Sequence, residues 1–174
     1  MALYHFHVGQ IGRSKGHSAI AAAAYRAGQK LYDDYYGETQ DYTHKSGVIY
    51  EEIMLPPNAH ERYADRQTLW NEVERCERHH KAQLAYSFDI ALQNELTREE
   101  NITLARQFIK DNFVAKGMIC DWAVHEPDGK GIAGAGRRTP ENEVPKKSFQ
   151  DILESKSAEA DLFLLSLTYM LSTL

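Results

Sequence analysis

The chain has 174 residues, 43% hydrophobic and 26% charged, and a formal net charge of −5. That is the length and composition of one ordinary globular domain with a real core. The acidic balance excludes the global basic field that many nucleic-acid binders carry, so any phosphate binding has to be local. Cys76 and Cys120 lie far apart without a metal-type spacing and read as thiols of a reducing compartment. Met1-Ala2-Leu3-Tyr4-His5 runs straight into strand-like sequence with no signal peptide, and the longest apolar run, Leu162 to Leu174, is too short to cross a bilayer. The expectation is a single-domain cytoplasmic protein without a membrane partner.

Leu3 to Val8 alternates and predicts a first strand, with Tyr4, Phe6 and Val8 on one face and Leu3, His5 and His7 on the other. After Gly9, Gly12 and Gly16 comes a helix, capped by Ser18 and built on the run Ala21 to Ala24. Its alanines allow it to lie close against a sheet, with Tyr25 held at a fixed depth. Arg26 stands beside that phenol, and Arg13, Lys15 and Lys30 flank it as the likeliest local basic cluster, suited to an anionic, phosphate-bearing substrate. A tyrosine so placed is either a nucleophile favoured by the cations or a packing residue with its hydroxyl at the rim, and both readings stand at this point. Asp33 to Glu38 reads as a polar turn with partly exposed tyrosines, Asp41 to Lys45 as more loop, and Val48 to Leu55 as a second strand stopped by Pro56-Pro57.

His60 to Lys81 is helical by pattern, with Leu69, Trp70, Val73 and Cys76 as its buried stripe and His79-His80 capping its C-terminal end. Leu84 to Leu92 predicts the third strand. One face carries Leu84, Tyr86, Phe88, Ile90 and Leu92; the other carries only Ala85, Ser87, Asp89 and Ala91. Such small residues suit a closely packed alanine helix, and Asp89 is then a carboxylate in a confined polar site; the other reading puts it on a solvated face. Thr97-Arg98-Glu99-Glu100 is a capping box, and the helix behind it buries Ile102, Ala105, Phe108 or Ile109, and Phe113, ending at Gly117. Met118 to His125 is the fourth strand, with Asp121, Ala123 and His125 opposite Trp122 and Val124. Residues 132–147 read as a linker and Ser148 to the end as a helix. Strands alternate with helices and no glycine-rich phosphate loop is present, which points to an α+β or mixed α/β sheet.

The ordered series Tyr4-His5, Arg13-Ser14-Lys15-Gly16, Ser18 to Arg26, Gly37-Glu38, Asp41-Tyr42-Thr43, Ile53-Met54-Leu55-Pro56, Leu69-Trp70-Asn71, Phe88 to Leu92, Phe113 to Met118 and Ala123-Val124-His125 resembles the start of MobA/MobL-type relaxases, mobilisation proteins of the HUH class. The resemblance covers residues 1–131. It implies an α+β fold, an antiparallel-type sheet with helices packed on it, in a bacterial cytoplasmic protein. It also implies that Tyr25 attacks a phosphodiester of single-stranded transfer-origin DNA, leaving a 5′-phosphotyrosyl link. Asp89 matches an acidic residue that takes the phenol proton or orients a ligand, and His125 the first of three histidines that hold magnesium or manganese. Accessory mobilisation proteins and a type IV coupling protein are the further partners it implies.

The family's next strand, His-hydrophobic-His, supplies the other two ligands and a central strand. Here Ile132 to Arg138 stands in its place, and no histidine follows His125. The expectations are therefore a sheet short of one central strand and a metal site that His5 and His7 complete only if the first strand lies beside the fourth. The loss of resemblance reads as a truncation or frame change. The alternative function is a catalytically inactive DNA-binding or interaction fragment, its tail covering the open sheet edge; the third is a remnant of a mobile element.

Overall fold

Alternation with a period of two gives this sheet one large-residue face and one small-residue face, and helices of matching relief cover each. The computed structural model describes residues 6–16, 18–93 and 95–126, and the backbone alone of Lys15 and of Leu162–Thr168. In chain order the elements are β1 (Phe6–Gly12), α1 (Ala19–Ala27), β2 (Lys30–Asp33), β3 (Glu38–Asp41), β4 (Val48–Met54), α2 (Arg66–Cys76), β5 (Gln83–Ala91), α3 (Arg98–Asn112), β6 (Ile119–His125) and β7 (Leu162–Thr168). The main sheet has five strands in the order β1-β5-β7-β6-β4, and β2 and β3 form a separate hairpin. The fold class is α+β, as expected. The β1–β5 and β4–β6 pairs are antiparallel, whereas β7 runs parallel to both its neighbours, so the sheet is mixed.

On the small-residue face Ala85 packs with Ala19, Ile20, Ala23 and Ala24 of α1 and with Leu69, Trp70 and Val73 of α2. Having no side chain beyond Cβ on either surface lets helix and sheet approach closely, which is what the alanine run and the Ala85/Ser87 alternation predict. On the other face Phe88, Cys120, Trp122 and Val124 meet Ala105, Ile109 and Phe113 of α3 and the turn after it. The Thr97 capping box is formed, with Thr97 Oγ1 accepting from Glu100 N and the Glu100 carboxylate accepting from Thr97 N at 2.8 Å. Of the two neighbours Phe108 and Ile109, Phe108 is exposed and Ile109 is buried.

Four expectations are corrected. The helix predicted from Ser148 onward is not what Leu162–Thr168 forms: this stretch is a strand, and it fills the central place expected to be missing. A short, continuous apolar run fits a parallel strand flanked on both sides as readily as a buried helix, and the backbone groups of β5 and β6 supply its ladder partners. The predicted linker and the remaining tail lie outside the described residues. The second helix is shorter than predicted: Asp65 caps it, accepting from Thr68 N at 2.8 Å, and it ends at Cys76. Cys76 is accordingly exposed, and His79-His80 lie beyond the helix, not at its last carbonyls. The segment after α1 forms the β2–β3 hairpin; its turn is held by the Asp33 carboxylate, which accepts from Tyr35 N and Tyr36 N. Among the described residues no helix is long and apolar enough to cross a membrane.

Candidate active site

Ser18 starts α1 by accepting the Ala21 N–H at 3.1 Å, while its hydroxyl donates to the Asp33 carboxylate. Glu74 Oε1 of α2 accepts the Ala19 N–H at 3.0 Å, a carboxylate at the positive end of the helix. Ala19, Ala23 and Ala24 are fully buried, so the helix is fixed in depth. Tyr25 sits on its outer flank, 53% exposed, at the rim of a cleft of about 760 Å³ that Arg26, Lys45, Ser87, Asp89 and His125 also line. Gly28 ends the helix with φ +63°, and a Cβ there would meet Val48 at 3.1 Å, so only glycine turns the chain tightly enough into β2.

Lys45 connects the two ends of the cleft. Its Nζ donates to the Tyr25 carbonyl at 2.9 Å, stands 3.7 Å from the centroid of the Tyr25 ring and lies 3.5 Å from His125 Nδ1. Tyr42 meets the same ring edge-on, with centroids 5.4 Å apart. The loop carrying Lys45 is pinned on both sides: Tyr42 N donates to Gln29 O at 3.1 Å and Glu126 N donates to Gly47 O at 2.7 Å. His125 closes β6, and upstream on the same strand Asp121 accepts from Arg66 Nε and Trp70 Nε1 of α2, each within 3.1 Å. That buried network fixes the strand whose end presents the imidazole.

Burial, then the Lys45 and Arg26 charges, hold the His125 imidazole down to about 4, with Asp89 opposing them. His125 is therefore neutral at neutral pH and has a nitrogen lone pair to offer. Burial also lowers Arg26, against the opposing pull of Asp89. Its guanidinium donates to the Ser87 hydroxyl, so this cation lies in the floor of the cleft.

The structure thus brings Tyr25, Arg26, Asp89 and His125 to one cleft. Arg13, expected as a DNA contact, does not line this cleft. It is 7% exposed, its Nη2 is 2.6 Å from the Glu74 carboxylate, and it also donates to the Glu74 and Glu77 carbonyls. Lys30 pairs with Asp41 at 3.2 Å on the hairpin. The Lys15 side chain and His5 lie outside what is described. His7 is on edge strand β1, with β5 and β7 between it and β6, so the arrangement under which it would join His125 is not the one formed. It faces Asp89 instead, Nδ1 to Oδ2 3.5 Å.

Among the described residues no three His, Cys, Asp or Glu side chains are grouped to hold a metal ion. A divalent ion on His125 Nδ1 would also meet the Lys45 ammonium. The described residues do not fit the three-histidine centre that the resemblance implies. Lys45 and Ser87 are the site residues that sequence reasoning missed; one lies in an unpatterned polar loop, the other looks only like a small residue on a packed face.

The family model described as MobA/MobL matches residues 17–138. A conjugal transfer protein TraA of Rhizobium radiobacter is 40% identical over 139 residues, covering 74% of this chain and 13% of that protein. A mobilization protein MobL of Acidithiobacillus ferridurans is 39% identical over 127 residues, 73% of this chain and 33% of its own length. A solved structure described as the molecular basis of vancomycin resistance transfer in Staphylococcus aureus superimposes with a TM-score of 0.66 at 36% identity, covering 69% of this chain and 61% of that one. The sequence relatives are thus conjugal-transfer and mobilisation proteins, and the chain spans only 13% to 33% of their lengths. The chain belongs to the MobA/MobL family.

Proposed function

We propose that this domain cleaves one strand of transfer-origin DNA by nucleophilic attack of Tyr25. The observation that carries the reading is the half-exposed phenol on a rigidly packed helix, at the rim of a cleft that also holds two cations and a carboxylate. The Tyr25 oxygen bonds to phosphorus, the bond from phosphorus to the 3′ oxygen breaks, and the 3′ hydroxyl leaves with a proton. The 5′ phosphate stays on the tyrosine. Asp89 lines the same cleft, and on this reading its carboxylate receives the phenol proton. Arg26 and Lys45 face the negative charge that develops on the phosphate oxygens, and charge fixed in advance is an effective stabiliser of such a state.

Magnesium or manganese belongs to the resemblance; the described residues supply His125 toward it but no complete set, and no step is assigned to the ion. Single-stranded origin DNA is the primary partner on this reading. Accessory mobilisation proteins and a coupling protein would meet a longer protein containing this domain, in the bacterial cytoplasm. The test is cleavage of fluorescent single-stranded oligonucleotides tiling the cognate origin, read on denaturing gels with manganese and with EDTA. Wild type is expected to give one site-specific product and Tyr25→Phe none. Cleavage by Tyr25→Phe at the wild-type rate would refute the assignment. DNA binding without cleavage by either protein would favour the inactive binding fragment.

A further inference from the structure

We propose that the β2–β3 turn and α2 form a nucleobase pocket, in which the Tyr35 ring stacks on a base of the single strand that Tyr25 cleaves. The site rests on the DNA-cleaving reading above and extends it beyond the reacting phosphate. A second cleft, of about 420 Å³, lies between the turn and α2, and its walls include Asp34, Tyr35, Asn71, Glu72 and Arg75. Ligand cavities usually run from about 300 to 1,000 Å³, so one nucleotide fits. Tyr35 is 55% exposed, yet its position is fixed from several sides. The Asp33 carboxylate, itself fully buried, accepts from Tyr35 N at 3.0 Å. The Arg13 guanidinium lies over the ring, 4.4 Å from its centroid, and Tyr36 meets the ring edge-on at 4.9 Å. Amide side chains of α2 hold the hairpin backbone: Gln67 accepts from Tyr32 N, and Asn71 accepts from Asp34 N and donates to Tyr32 O, each at 2.9 Å. An exposed ring ordered before binding loses little freedom when a base stacks on it.

The charge around this pocket suits a base and not a phosphate. Its arginines are matched by carboxylates: Arg13 by Glu74 at 2.6 Å, and Arg75 by Glu72, which Arg62 also approaches at 3.6 Å. Asp34 adds a further carboxylate to the wall. A carboxylate only accepts hydrogen bonds and repels phosphate, so it favours the exocyclic amino group of adenine, cytosine or guanine, which thymine lacks. The start of α1 joins the pocket to the Tyr25 cleft. Ser18 lines that cleft and donates to Asp33, whereas Glu74 lines the pocket and accepts from Ala19 N at 3.0 Å. The helix from Ser18 to Tyr25 is about 10 Å long, so the stacked base is expected a few nucleotides from the cleaved phosphate.

The experiment is fluorescence anisotropy of origin-derived single-stranded oligonucleotides, in EDTA throughout, at several salt concentrations, for wild type, Tyr35→Ala, Tyr35→Trp and Asp34→Ala. Each position of the strand is in turn made abasic or thymine. Tyr35→Ala is expected to bind at least about fivefold more weakly, as for one lost base stack, with the salt slope unchanged because no phosphate contact is lost. Tyr35→Trp should stay within about twofold of wild type. One position should weaken wild-type binding when its base is removed, and Tyr35→Ala should be indifferent to that change. Thymine at the same position should weaken wild type but not Asp34→Ala. Tyr35→Ala with wild-type affinity overturns the proposal while leaving the DNA reading standing. So does a Tyr35→Ala defect that flattens the log–log slope by about 0.7, the value for one phosphate contact on a single strand. Free deoxynucleoside monophosphates that bind wild type and not Tyr35→Ala, with strand binding equal in the two, would make this a free-nucleotide site and overturn it as a strand site. A wild type equally tolerant of base removal at every position overturns the proposal whatever the folding of the variants, which thermal unfolding monitors. Failure of the wild type to bind any origin strand overturns both readings.

Discussion

Replacing Arg13 by alanine should destabilise the domain without being a DNA-contact mutation. Arg13 Nη2 lies 2.6 Å from Glu74 Oε2, and both side chains are almost fully buried. Removing one member of such a pair strands the other charge in a low-dielectric interior, which typically costs about 3–5 kcal/mol. Glu74 keeps the Ala19 N–H at 3.0 Å and the N-terminal end of α1, so the loss should fall at the low end, near 3 kcal/mol. The Glu74, Glu77 and His79 carbonyls that Arg13 also meets lose their donor, which acts in the same direction. Urea unfolding followed by fluorescence of the buried Trp70 and Trp122 measures this directly. Replacing both charges, as Arg13→Met with Glu74→Leu, should recover much of the loss, because an apolar pair of similar volume leaves no orphan charge. A single Arg13→Ala variant within about 0.5 kcal/mol of wild type, the usual range for exposed surface sites, would refute the reasoning and return Arg13 to the basic surface.

Other outcomes follow from the same geometry. Ala23→Leu, at a fully buried helix–sheet contact, should cost about 1–3 kcal/mol by overpacking, and a neutral urea midpoint would contradict the close approach. Thr97→Ala removes the cap of α3 and should cost about 1 kcal/mol; an unchanged midpoint would mean that the box adds nothing in solution. His125, held at about 4 against an ordinary 6.5, binds its proton more readily when unfolded. Its contribution is therefore complete above about pH 6.5 and is lost as the pH falls toward 4. Discounting for solvent around a partly exposed ring leaves about 1–2 kcal/mol. His125→Gln should lose correspondingly less stability over that window, and an imidazole titrating near 6.5 by NMR would contradict the burial and cation placement described.

What the sequence disclosed was whatever local chemistry determines. Ser18 and Thr97 announce their helices because a cap acts over three residues. The alternation of Leu84 to Ala91 disclosed both faces of β5, and its small residues disclosed the alanine helix above them. Long-range partners were beyond reach. Arg13 has the residue type and neighbourhood of a phosphate contact, and only Glu74, 61 positions away, draws it into a buried pair. The place of His7 depended on strand order, which periodicity does not encode. Leu162–Thr168 is apolar enough for helix or strand, and the open ladder between β5 and β6 decided it. Lys45 is an unremarkable loop residue until two backbone bonds set its ammonium over Tyr25.

The central claim is that the phenol of Tyr25 forms the covalent link to DNA. Its most direct test is intact-mass and peptide-mapping spectrometry of the purified chain after incubation with a short single strand spanning the cognate origin. The account predicts one mass increment equal to the 5′-phosphorylated downstream product, located on the peptide containing Tyr25 and absent from Tyr25→Phe. An adduct mapping to any other residue, or cleavage that leaves no adduct on the chain, would contradict it.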